Sequence, residues 1–324
     1  MCTSIFQVTT DQLHVLGRTM DWPELEVTPI FLPRGYQWAN AFNHRVTTNR
    51  YAIIGGGYLG RNVIDLSDGV NEYGLMGQKL TFSAAHFCDT RRNDKIQLPA
   101  YQFVFWALGR YRSVNDLVNH LDEVELMSER FSDVKYGDPE LHFAFADRTG
   151  RVVVIEPTAN PMVVHDNPLG VVTNTNDFQG EIKKLQRYMN FTPEFLAGHV
   201  PLNTPKVTTG NFAGKHNPPG YYAPSARLAR AAYLKERAKV PTGESGAVIA
   251  VWHLLDSVSV PYNPDHSHTY SVYRSATCAE HLTYYFQSYH QAGMSKLTMT
   301  PEMLKWTQPR AYPLPDRLAP RSLN

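Results

Sequence analysis

Three cysteines in 324 residues (Cys2, Cys88 and Cys278) are too few, and odd in number, for a disulfide framework. They suit a reducing compartment, where a reactive thiol survives, and a cytoplasmic protein is the expectation. An excess of one charge is lacking as well. With 31 Lys and Arg against 30 Asp and Glu, the formal net charge of +1 offers no field for nucleic acid or an acidic partner. No apolar run reaches the ~18–20 residues needed to span a membrane. No charged and apolar leader precedes Cys2, so no signal peptide is expected. Internal repeats and low-complexity blocks are missing. What is present is 43% hydrophobic content, enough for the core of one large α/β or α+β domain over residues 1–324.

The densest chemistry lies in Met1–Asp21. An initiator Met before a residue as small as Cys is normally trimmed. Trimming would leave Cys2 with a free α-amine beside its own thiol, a nucleophile and a base in one residue. The amine titrates near about 7.7–8.0 and the thiol near about 8.5, and the thiolate is the reactive form. Further on, Val15-Leu16-Gly17-Arg18-Thr19-Met20-Asp21 supplies a cation to stabilise a thiolate and a carboxylate to hold an ammonium. Taken alone, Cys2 also reads as a small buried hydrophobe.

Alternating apolar residues predict a hairpin of Cys2–Val8 and Leu13–Met20 that sets Cys2 across from Arg18 and Asp21. Further strands are expected at Thr28–Pro33, Tyr51–Ile54 and Leu75–Phe82, with turns at Asp68-Gly69 and Asn71–Gly74. Gly55-Gly56-Gly57 lacks the Gly-Lys-Ser/Thr and the helix of a nucleotide loop. Helical spacing marks Pro99–Tyr111, Val114–Leu121, Phe178–Tyr188, Pro224–Lys239 and Glu244–Val258. Leu141–Ala146, Val152–Glu156 and Met162–His165 form a meander, Val171–Asn174 a strand end, and Tyr270–Arg274 and Thr283–Gln287 a late pair. Residues 198–224, with five Pro and four Gly, read as a long irregular loop. A Pro-rich arm begins at about Pro309. Strands at both ends with helices between and after them give an α+β class.

Five blocks then stand in one order: Met1-Cys2, Gly17–Asp21, Asp68-Gly69-Val70-Asn71-Glu72-Tyr73-Gly74-Leu75, Val172-Thr173-Asn174 and Pro224-Ser225-Ala226-Arg227. From residue 2 to about residue 290 the chain resembles the choloylglycine hydrolase family of N-terminal nucleophile hydrolases, which includes penicillin V acylases and bile salt hydrolases. The resemblance implies a four-layer αββα sandwich, a homotetramer, no metal or other cofactor, and hydrolysis of a linear amide through a thioester. It implies Cys2 as nucleophile with its α-amine as base, Arg18 beside the thiolate and Asp21 orienting the amine. Asn174 is the implied oxyanion donor and Arg227 a distal support. An oxyanion donor can contribute about 2.7–4 kcal/mol to an amide-cleaving transition state. Read singly, Asn174 is a turn residue and Arg227 a solvated helix residue.

Two positions depart from the family's pattern. Thr81 stands where members carry Asn or Tyr; it keeps a backbone N–H for the oxyanion, and its side chain reads either as bordering the acyl pocket or as an ordinary β-branched strand residue. Asn176 stands where Pro is common. Cys88 and Cys278 read as core or incidental thiols. Asp265-His266-Ser267-His268 reads as a polar hairpin entrance rather than a metal clip. The 18 tyrosines suit an aromatic-lined acyl pocket as well as core. The local wording of Arg18–Trp22, Ile30–Arg34 and Gly69–Gly77 favours a penicillin V acylase, ahead of a bile salt hydrolase or an N-acyl homoserine lactone acylase. An inactive binding protein of the same fold is the alternative from another class. The expected partner is a small N-acyl amide, not nucleic acid or a membrane.

Overall fold

The computed structural model describes residues 1–60, 63–132, 135–190, 208–209, 216–265 and 267–314. Its strands run β1 Cys2–Val8, β2 His14–Trp22, β3 Thr28–Leu32, β4 Gln37–Ala39, β5 Val46–Thr48, β6 Ile53–Leu59, β7 Ile64–Asn71, β8 Met76–Thr81, β9 Ile96–Leu98 and β10 Val124–Leu126. They continue as β11 Leu141–Ala146, β12 Val152–Glu156, β13 Val163–Asp166, β14 Val171–Val172, β15 Met189–Asn190, β16 Thr208–Thr209, β17 Tyr270–Cys278, β18 Thr283–Ser288, β19 Ser295–Thr298 and β20 Arg310–Ala311. The helices are α1 Phe103–Arg110, α2 Val114–Val118, α3 Phe178–Leu185, α4 Pro224–Arg237 and α5 Gly243–Asp256.

Two antiparallel sheets carry the molecule. One has the order β14-β1-β2-β17-β18-β19 and the other β13-β12-β11-β8-β7-β6-β3-β20. Three apolar clusters define four layers. Ile5, Val15 and Ala276 of the first sheet pack on α4 and α5 through Leu228, Ala232, Val251 and Leu255. Phe143, Phe145 and Val153 of the second sheet pack on α1 through Phe103 and Val104. Cys2, Phe6, Leu16 and Met20 meet Met76, Leu80, Ala144 and Val154 between the sheets. This is the expected αββα sandwich of an α+β protein.

The period of two explains the division: even-numbered residues of β1 and β2 enter the space between the sheets, and odd-numbered ones face the helices. Gly17 is a helix-facing position, and a Cβ there would run into the Val251 side chain of α5. The Gly55–Gly57 run is the middle of β6, and a Cβ on Gly56 would collide with the Tyr284 hydroxyl. Glycine here serves close sheet packing.

Several sequence expectations need correction. Asp68-Gly69 is no turn but the middle of β7; the turn comes at Asn71–Gly74, where Asn71 Oδ1 accepts from the N–H groups of Tyr73 and Leu75. The late strand reaches Cys278 instead of Arg274, because it lies centrally in its sheet between β2 and β18. The expected helix over 99–111 starts as a 3-10 turn at Ala100–Gln102. Most of the expected loop over 198–224 lies outside the described residues, as does His266. The tail from Pro309 begins as β20, paired with Ile30 and Phe31 of β3.

His142 of β11 is enclosed between the sheets, stacked on Phe82 with ring centroids 4.7 Å apart, and neither ring nitrogen has a hydrogen-bond partner. Burial lowers its pKa to about 4, against weaker raising effects from Glu156 and the Thr173 backbone. The folded state therefore favours the neutral ring. Its contribution to stability is complete above the unfolded value near about 6.5 and is lost as pH falls towards 4. Urea unfolding at pH 7 and pH 5 should show about 2 kcal/mol of pH-dependent loss in the wild type that His142→Phe lacks.

Candidate active site

Cys2 lies at the open end of β1, its side chain between the sheets and only 1% exposed, with Sγ 3.7 Å from Met20 Sδ. The hairpin pairs Cys2 with Met20, and Ser4 with Arg18. Arg18 is thus a diagonal neighbour of Cys2 on the same face, rather than its direct partner. Asp21 pairs with Met1: the Met1 terminal ammonium donates to the Asp21 carbonyl and the Asp21 N–H to the Met1 carbonyl, each at 2.8 Å.

Arg18 crosses from the first sheet to the second. It is wholly buried, with Nη1 3.1 Å from the Ser67 carbonyl and 3.5 Å from Asp68 Oδ2. Asp68 also accepts from the Tyr273 hydroxyl at 2.5 Å and the Ser275 hydroxyl at 3.0 Å. Burial acts to lower the Arg18 pKa, but Cys2, Tyr273 and Asp68 outweigh it and hold the pKa above its ordinary value. The guanidinium is a fixed positive charge beside the thiol.

Two β-bulges aim these groups. Along β7, Gly56 faces Asp68 while Gly57 faces Leu66, so Ser67 is the extra residue and its carbonyl is free for Arg18. Along β17, Asp21 faces Ser271 while Met20 faces Tyr273, so Val272 is the extra residue. That single insertion sends Ser271 to the helix side, where its hydroxyl donates to Asp21 Oδ1 at 2.6 Å. It sends Tyr273 and Ser275 to the opposite face, against Asp68.

The helix side holds the remaining expected residues. Pro224 opens α4, a position suited to its missing N–H, and places Arg227 under β1. Arg227 Nη1 donates to the Cys2 carbonyl and to Thr3 Oγ1 at 2.6 Å each, and Nη2 donates to Asn174 Oδ1 at 2.7 Å. Burial pulls the Arg227 pKa down, opposed by Asp21 and Cys2. Asn174 follows β14, and its Oδ1 also accepts from the Cys2 N–H at 2.5 Å. Asp21 Oδ2 is buried without a hydrogen-bond partner, 3.8 Å from Arg227 Nη1.

Thr81 ends β8. Asn174 Nδ2 donates to its carbonyl at 2.9 Å and to its Oγ1 at 2.7 Å. The next residue, Phe82, donates its N–H to Glu140 across the ladder with β11. Backbone directions alternate along an antiparallel strand, so the Thr81 N–H points away from β11, to the edge where Asn174 sits. Asn176 accepts from the Ser83 hydroxyl at 2.6 Å and ties its loop to the segment after β8.

A pocket of about 580 Å³ opens beside Cys2. Met20, Trp22, Leu25, Val63 and Leu141 make much of its wall, with Tyr58, Tyr101 and Tyr136 and with Thr81 at the rim shared with Asn174. The size is that of a site for a drug-sized molecule.

The six sequence candidates Cys2, Arg18, Asp21, Thr81, Asn174 and Arg227 thus converge. Ser67, Asp68, Ser271, Tyr273 and Ser275 escaped the sequence reading. One signal was available for Asp68: it opens the third of the five ordered blocks. Elsewhere, Glu244, Cys278 and His281 bring ligand-type atoms within 4.8 Å of one another. That carboxylate is already engaged by Thr283, Tyr285 and His281, with Lys296 3.8 Å away. Among the described residues no helix is long and apolar enough to cross a membrane.

Breaking the buried pair should be costly. Asp68→Asn leaves Arg18 charged and under-compensated and should destabilise the protein by about 3–5 kcal/mol. Tyr273→Phe, which removes one bond to a charged acceptor, should cost about 1.5–3 kcal/mol. Denaturant unfolding of the two variants at neutral pH checks the order.

Residues 2–312 match the family model for linear amide C–N hydrolases of the choloylglycine hydrolase family. A bile salt hydrolase/transferase of Clostridium perfringens is 28% identical, covering 96% of each chain. Another from Lactiplantibacillus plantarum is 26% identical over 97% of each. Among solved structures, a conjugated bile acid hydrolase from Clostridium perfringens superposes with a TM-score of 0.84 at 26% identity over the full length of both chains. The penicillin V acylase from Agrobacterium tumefaciens shares the fold with a TM-score of 0.73 at 19% identity, over 94% of this chain and 88% of its own. The chain belongs to the choloylglycine hydrolase family and is a linear amide C–N hydrolase.

Proposed function

We propose that Cys2 is the nucleophile of this hydrolase and that removal of Met1 makes its α-amine the base. The observation that carries this reading is the set of groups around the Cys2 backbone and thiol. Asn174 Oδ1 already receives the Cys2 N–H, and Asp21 Oδ2, which has no hydrogen-bond partner, is an acceptor for an ammonium. Arg227 fixes the Cys2 carbonyl, and Arg18 supplies positive charge on the thiol's side.

In the first half-reaction the thiol proton passes to the α-amine and sulfur bonds to the substrate carbonyl carbon. Negative charge develops on the carbonyl oxygen, within the field of the Thr81 N–H and Asn174 Nδ2. The C–N bond then breaks, and the α-ammonium returns its proton to the departing amine. In the second half-reaction water gives a proton to the same amine, attacks the thioester, and releases the acid with Cys2 restored. The base can do both because a terminal amine titrates close to neutrality.

The apolar walls beside Cys2 support an apolar acyl group. The motif wording around Arg18, Ile30 and Gly69 supports a penicillin V acylase-like preference for an aryloxyacetyl group. Bile salts are the second reading, favoured by the relatives at 26–28% identity and by a pocket with room for a larger acyl body. Three free thiols support a cytoplasmic setting, and the resemblance supports a homotetramer.

Phenoxymethyl-penicillin should exceed taurine- and glycine-conjugated bile salts in kcat/KM; a tenfold advantage for bile salts would reverse the ranking. N-acyl homoserine lactones complete the assay. Mass spectrometry of active enzyme should show Met1 absent and, after treatment with a thiol-reactive substrate analogue, a covalent adduct on a peptide that starts at Cys2; no adduct would favour the inactive binding protein. Active protein retaining Met1 would exclude the amine as base. Asn174→Ala should lower kcat by about 10²- to 10³-fold.

A further inference from the structure

Lys79 is out of place in the pocket wall. It is 6% exposed, in a cavity otherwise dominated by apolar and tyrosine side chains. Its ammonium pairs with Asp65, donates to the Tyr101 carbonyl at 3.4 Å, and lies 5.9 Å from the Tyr101 ring centroid. Asp65 lines the same pocket, and its side chain remains 34% exposed. The other charged lining residues differ: Glu26 is exposed and the Lys135 side chain is 87% exposed, both at the mouth.

A buried Lys–Asp pair is a weak way to stabilise a fold. Well-packed apolar side chains of similar volume often do as well or better. A charged pair retained on the wall of an acyl pocket therefore calls for a role toward the ligand. Two of the three ammonium donors have protein partners, and the half-buried Asp65 carboxylate has acceptor capacity to spare. Donor and acceptor side by side, with no net charge, match a hydroxyl group. Lys79 and Thr81 share a face of β8, about 7 Å apart along the strand. The pair thus lies one strand step from Thr81, in the wall of the pocket that also holds Cys2.

We propose that the Lys79–Asp65 pair recognises a hydroxyl carried by the distal part of the acyl group, and so selects hydroxylated over plain apolar acyl amides. This rests on the reading of the Cys2 pocket as the acyl site. Sites that hydrogen-bond a substrate hydroxyl discriminate against its absence more sharply than apolar pockets discriminate by size. Because Lys79 and Asp65 already satisfy each other in part, a preference of about 5- to 20-fold is expected.

The test compares the phenoxyacetyl and 4-hydroxyphenoxyacetyl amides of glycine as substrates, and the two free acids as ligands by calorimetry. The enzymes are the wild type, Lys79→Met and Lys79→Gln. The wild type should favour the hydroxylated amide in kcat/KM and bind its acid more tightly, and Lys79→Met should erase or invert both ratios. Lys79→Gln, which keeps a donor, should fall between and serves if Lys79→Met does not fold. Equal ratios, within twofold, in wild type and variants would overturn the proposal. If neither amide is cleaved but the hydroxylated acid still binds selectively through Lys79, the pocket assignment stands and the reaction assignment fails.

Discussion

The structure turns on one buried charge pair. Arg18 leaves the first sheet, crosses the apolar space between the sheets, and meets Asp68 on the second. Neither group tolerates that space alone, and each is completed from the other sheet: Arg18 by the Ser67 carbonyl, Asp68 by Tyr273 and Ser275. The pair fixes the separation and register of the two sheets at the level of Cys2. The same arrangement that orders the sandwich keeps a permanent cation on one side of the thiol, so sheet packing and thiol electrostatics cannot vary independently.

The Cys2 end of the sandwich is organised by side. Between the sheets lie the thiol, Arg18 and the carboxylate that holds it. On the helix side lie Asn174 and Arg227, which bond the backbone of residue 2, and Asp21 with Ser271 beside them. The chemistry proposed for residue 2 uses both its side chain and its own amine, and a strand at the end of a sandwich supplies both surroundings: one face for the side chain, the other for neighbours of its amide. The helix α4 brings Arg227 to that second face.

Much of this was legible in the sequence, unevenly. The β1–β2 hairpin followed from plain alternation, and with it the nearness of Cys2, Arg18 and Asp21. The register did not, and Met20 rather than Arg18 stands opposite Cys2. Asn174 and Arg227 are ordinary turn and helix residues by local pattern; only the ordered blocks singled them out. Thr81 was noted as a substitution, but its bonds to Asn174 depend on how β8 and β14 end beside each other. Asp68 was misread because Asp-Gly is the chemistry of a turn, and only burial shows that its charge is spoken for. Tyr273 and Ser275 were beyond reach, since a bulge at Val272 reverses which face their odd numbers imply. Lys79 sat in a block read for its flanking residues.

The bulge at Val272 makes the length of β17 a component of the site. One residue separates a strand that serves both faces from one that serves neither. A deletion there would move Tyr273 and Ser275 to the helix side and strip Asp68 of both hydroxyls, without altering a single side chain on β1 or β2. An insertion would do the same by the opposite route. Chemically mild changes at positions 271–275 can be absorbed side chain by side chain; a change of length cannot, because it shifts the parity of every residue after it. In lineages of this fold, the spacing between Asp21's partner and Asp68's partners should be kept more strictly than the identity of the residue between them.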